Sequence, residues 1–139
     1  MKEWIVQRAA NVSLPNDKRA EAFVVLASKD WDCSYRITEL PANKVTTVDG
    51  NTLSHRMPKD RVEFERAQDC ANRALEMANM AITLTPENES AWSYKTNILL
   101  ELEKLAEMLG QVQHTELHRQ YEEALRQTTK LSKRSQSNP

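Results

Sequence analysis

Between Arg61 and Leu84 the chain contains neither glycine nor proline, and Phe64, Ala67, Ala71, Ala74, Ala78 and Ala81 recur at three- and four-residue spacing. That spacing puts all six on one side of an α-helix. Alanines on such a stripe leave little bulk at the contact, so a neighbouring helix can approach closely. Pro58 and Asp60 supply the helix start, and Met77 and Met80 are adaptable fillers beside the stripe. Glycine occurs only twice in 139 residues, which disfavours a turn-rich β sandwich or a phosphate-cradling loop. The chain is therefore read as all-α.

The remaining segments repeat the theme with different punctuation. Trp4 to Ala10 forms a short amphipathic helix that Pro15 must end, and a second helix begins near Asp17. Between Ala20 and Asp30 the residues Ala22, Phe23, Leu26 and Ala27 give that helix a narrow buried stripe. From Trp31 to Pro58 the periodicity fails. Pro41, Thr46-Thr47 and Asp49-Gly50-Asn51 predict a long ordered loop, with Val45 to Val48 and Thr52 to Leu53 flanking a hairpin turn. Trp31, Tyr35 and Leu53 are placed either to dock that insertion on the helices or to meet a partner, with docking preferred.

After the turn at Thr85 to Glu89, the residues Trp92, Leu99, Leu102, Ala106 and Leu109 mark a third major helix, with Gly110 as its stop. A last helix is predicted over Thr115 to Lys133, with Leu117, Tyr121, Ala124, Leu125, Thr128 and Leu131 facing in. The expectation is one domain over residues 1–134, an insertion at about 31–59, and a polar tail from Ser132 that is disordered by 135–139.

Nineteen Lys plus Arg against twenty Asp plus Glu leave a formal charge of −1, so no basic field draws the chain to nucleic acid or anionic lipid. No apolar run is long enough to cross a bilayer, and Glu3 interrupts the place of a signal peptide. Cys33 and Cys70 lie outside any zinc or CxxC spacing; they are read as buried free thiols or one disulfide, with the free thiols preferred.

The helices carry a repeat. Ala74, Ala81 and Pro86 resemble the second helix of a tetratricopeptide repeat and its closing proline, and Glu89-Ser90-Ala91-Trp92 with Leu99 resembles the opening of the next. A second copy stands upstream: Ala10 and Pro15 close one unit, and Ala20-Glu21-Ala22-Phe23 with Leu26-Ala27 opens another. Lys95-Thr96 departs from the leucine and small residue of the pattern. The resemblance is to a divergent, bacterial-type member, an excerpt of a longer solenoid of stacked antiparallel helical hairpins. It implies a scaffold that binds a peptide or protein on its concave face, in the cytoplasm or periplasm, with the inserted loop as the other candidate surface, or else a structural module that self-associates.

On that resemblance the concave positions are Val24, Ser28 and Trp31 in the first copy and Ser93, Asn97, Leu100 and Glu101 in the second. The set is mixed and nearly neutral, which argues against an acidic C-terminal ligand. His114, His118 and Glu122 share a metal-compatible spacing but are read as solvated, and no metal or cofactor is expected. Glu63, Glu65, Glu101, Glu103, Glu122 and Glu123 alternate with Arg66, Lys104, Arg119 and Arg126 in the manner of exposed helix faces. With no nucleophile elbow and no cysteine–histidine pairing in sequence, the chain is not read as an enzyme.

Overall fold

The computed structural model describes residues 2–46, 53–111 and 114–137. Among them are five α-helices and one small antiparallel sheet: α1 (Lys2–Ala10), α2 (Asn16–Thr38), β1 (Lys44–Thr46), β2 (Leu53–His55), α3 (Arg61–Leu84), α4 (Glu89–Met108) and α5 (Thr115–Ser137). A 3-10 turn at Pro41–Asn43 leads into β1. α2 packs on α1, α3 and α4; α3 also packs on α4, and α5 on α4.

α3 has the inner face that its alanines predict, for Phe64, Ala67, Ala71, Ala74, Ala78 and Ala81 are all buried. Its start is fixed by Asp60, whose Oδ1 accepts from the Val62 N–H at 2.9 Å. α4 begins the same way, with Asn88 Oδ1 accepting from the Ala91 N–H at 3.0 Å. It ends at Gly110, whose φ of 74° lets the Gln111 N–H reach the Ala106 carbonyl and its own N–H reach that of Glu107. Leu109, expected in the core, lies at this terminus and is exposed. Trp92 is half-buried, and its indole N–H donates to the Pro86 carbonyl at 2.8 Å, tying helix to turn.

α2 runs two turns beyond Asp30, so Trp31 to Thr38 belong to the helix and not to the insertion. The inward positions of those turns are Ser34, Ile37 and Thr38, all buried, so the stripe continues geometrically while its apolar signature thins to Ile37. An antiparallel hairpin is present within the insertion: among the described residues Lys44 pairs with His55, Val45 with Ser54 and Thr46 with Leu53. The Asp49-Gly50-Asn51 turn falls outside the described residues.

Cys33 and Cys70 are bonded to each other, which corrects the preference for free thiols and links α2 to α3. The last helix runs past its expected end at Lys133, and residues 138–139 of the expected tail lie outside the described residues. α5 continues to Ser137 because Arg134 pairs with Glu87 at 2.9 Å and the Ser135 hydroxyl donates to Glu89 at 3.0 Å. Ala124 and Leu131 are buried against α4, whereas Leu125, expected to face in, is exposed. No helix among the described residues is long and apolar enough to cross a membrane.

Candidate functional site

Two stripes lie along the neighbouring helices α2 and α4: Val24, Ser28 and Trp31 on one, Ser93, Asn97 and Leu100 on the other. All six are half-buried. The two helices pack on each other. The Trp31 ring sits 6.1 Å from that of Tyr94 in an edge-on contact and 4.9 Å from that of Tyr35, and the Lys104 ammonium lies 4.9 Å from the Tyr35 ring centre. Trp31 and Tyr94 both pack against the buried cluster of Ala27, Ala74, Ala78 and Ile98.

Glu101 stands apart from the rest of the expected concave set. It is 1% exposed, and its carboxylate accepts from Thr38 Oγ1 at 2.6 Å, Ser34 Oγ at 3.2 Å and Lys104 Nζ at 2.5 Å. The reading of Glu101 and Lys104 as part of a solvated charge stripe is thereby corrected, and this carboxylate is not presented to a partner. A buried carboxylate persists only where its lone pairs are occupied, and here three donors occupy them.

The network continues outward into the insertion. Lys104 Nζ reaches Glu39 Oε2 at 3.0 Å, and that same oxygen lies 3.0 Å from His55 Nε2 on β2. Lys44 on β1 pairs with Glu39 at 3.4 Å, and the His55 backbone N–H donates to Glu107 on α4. Burial raises the Glu39 pKa, but hydrogen bonds from Lys104 and His55 and the charges of Lys104 and Lys44 outweigh it and hold the carboxyl at about 2. Burial lowers the Lys104 pKa, and its hydrogen bonds and charge pairing with Glu101 and Glu39 overcome this and raise it. The hairpin is thus fastened to α4 mainly by polar contacts, joined by Met57 against the Ile37, Phe64 and Leu105 cluster.

Tyr35, Tyr94 and Lys104 complete this face; the sequence pointed to Tyr35 only as part of the insertion and to Lys104 only as part of an exposed charge stripe, and Tyr94 was not read from it. The available signal for Tyr94 is its place one residue beyond Ser93. Two surface grooves lie elsewhere: one of about 690 Å³ along Asp17, Glu21 and Leu84 to Asn88, and one of about 270 Å³ among Val6, Ala9, Phe23, Leu26 and Met77. His118 lies between Glu103 at 3.1 Å and Glu122 at 3.0 Å, with His114 Nδ1 3.8 Å from Glu103. Among the described residues no group of three or more such side chains is arranged to hold a metal ion.

The fold and this face define a mostly helical protein built from packed hairpins, with a small antiparallel sheet set into it. Comparison of the chain with family models, with curated proteins and with solved structures gives no match.

Proposed function

We propose that this chain is an interaction scaffold, a divergent tetratricopeptide-type stack of helical hairpins that holds an extended peptide along the side shared by α2 and α4. The observation that carries the reading is the contact of those two helices through the Trp31 and Tyr94 rings, with Val24, Ser28, Ser93, Asn97 and Leu100 half-buried on the same helices. The packing order supports it: the first helices of two successive pairs, α2 and α4, touch each other as well as their own partners. Fixed aromatic rings offer contact area at little cost in side-chain entropy, and Ser28, Ser93 and Asn97 offer hydrogen bonds to a peptide backbone.

The test is selection of peptides from a random display library on the folded chain, followed by titration against an Asn97→Trp variant that fills the shared face. Peptides of this class lose at least tenfold in affinity for the variant. Equal affinity for both proteins sinks the reading.

A second reading, a structural module that self-associates, is favoured by the open side of α1, where Trp4 is 63% and Val6 46% exposed. Sedimentation over a hundredfold concentration range separates the two. A mass that rises with concentration and reverts in Trp4→Ser supports self-association, and a constant monomer removes it.

A further inference from the structure

The bridge between α2 and α3 is asymmetric in its surroundings. Cys70 is 2% exposed, whereas Cys33 is only half-buried. The Arg73 guanidinium, one turn along α3, places Nη2 3.4 Å from the Cys70 sulfur. Arg73 is itself held by Asp30, a buried residue of α2, at 3.5 Å. A cation beside one sulfur stabilises the thiolate form of that cysteine and makes it the better leaving group in thiol–disulfide exchange.

We propose that the Cys33–Cys70 bond is a polarised redox site, opened by dithiol reductants through attack at Cys33, with Arg73 as its positioning residue. A thiolate of the reductant forms a bond to Cys33 Sγ. The Cys33–Cys70 bond breaks, and its electron pair goes to Cys70 Sγ, which leaves as a thiolate beside Arg73. The second thiolate of the reductant then attacks its own sulfur in the mixed disulfide and releases Cys33. The bridge gains two electrons, the dithiol becomes an internal disulfide, and protons are exchanged with water.

The position of the bond gives the chemistry a structural consequence. Residues 33–70 form the loop that it closes, and they include the last turns of α2, the hairpin and the first half of α3. Reduction therefore removes the covalent closure of the segment that carries Glu39 and His55 and leaves its polar contacts with α4 to hold it, while the α4–α5 pair stays outside the opened loop.

The experiment uses the full oxidised chain. Reduced glutathione is the attacking thiol and N-ethylmaleimide caps any sulfur set free, after which peptide mass mapping locates both. Glutathione on Cys33 with maleimide on Cys70 is the expected result; the reverse assignment, or no conjugate, overturns the proposal. Independently, Arg73→Gln slows reduction by dithiothreitol about threefold to tenfold, and Arg73→Lys, which keeps the charge, restores most of the rate. A merely structural role for Arg73 predicts faster reduction in Arg73→Gln, so an unchanged or faster rate also overturns it.

Discussion

Thr38 Oγ1, on the last turn of α2, donates a 2.6 Å hydrogen bond to Oε1 of Glu101 in the middle of α4, and both residues are essentially inaccessible to water. Removing the acceptor strands several donors at once, because Ser34 and Lys104 use the same carboxylate. Glu101→Ala should therefore cost about 3–5 kcal/mol, whereas Thr38→Val, which removes one donor, should cost about 1–2 kcal/mol. Urea unfolding of both variants decides it. A smaller loss in Glu101→Ala than in Thr38→Val would mean that this carboxylate does not organise the α2–α4 contact.

Acid should loosen the hairpin through Glu39. Its folded-state pKa lies near 2, below the usual 4.5, so the unfolded chain takes up the proton more readily than the folded one. The stabilisation is fully present above about pH 4.5 and fades as pH falls toward 2. After allowance for solvent screening it amounts to about 1–2 kcal/mol. The difference in stability between wild type and Glu39→Gln, followed from pH 6 to pH 2.5, should shrink across that window. A difference independent of pH would show that the ion pairs with Lys104 and Lys44 contribute nothing.

Loss of the Cys33–Cys70 crosslink should be felt globally. The bond spans a sequence separation of 37, and closing a loop of that size restricts the unfolded chain by about 4 kcal/mol. Cys33→Ser with Cys70→Ser should lower the melting temperature by well over ten degrees for a chain of about this size. Differential scanning calorimetry of the double variant measures it, and a shift of two or three degrees would mean that the polar network already confines the same segment.

What the sequence made legible follows the range of the interactions concerned. α3 can be read from its own residues, because an alanine stripe and the Asp60 start are local signals; so can the ends of α4, from the Thr85 to Glu89 turn and Gly110. The last turns of α2 could not be read that way. Ser34 and Thr38 sit where apolar residues would have extended the stripe, and their reason for being buried is Glu101, more than sixty positions away. The end of α5 was hidden for the same reason, since Arg134 and Ser135 find their partners at Glu87 and Glu89. At the candidate face, Trp31 could be marked from the repeat resemblance, but Lys104 belongs to it through Tyr35 on a different helix.

Gly110 offers a test free of packing effects. A Cβ built there meets nothing within 4 Å, so the cost of a side chain at φ 74° is conformational alone. Gly110→Ala should destabilise by about 1–2 kcal/mol, the ordinary cost of the left-handed region for an L-residue. Asparagine tolerates that region better, so Gly110→Asn should cost clearly less. Chemical unfolding of the two variants gives the comparison. Equal losses would show that α4 does not need the left-handed turn to stop, and that the bonds from Gln111 to Ala106 and from Gly110 to Glu107 survive in another backbone conformation.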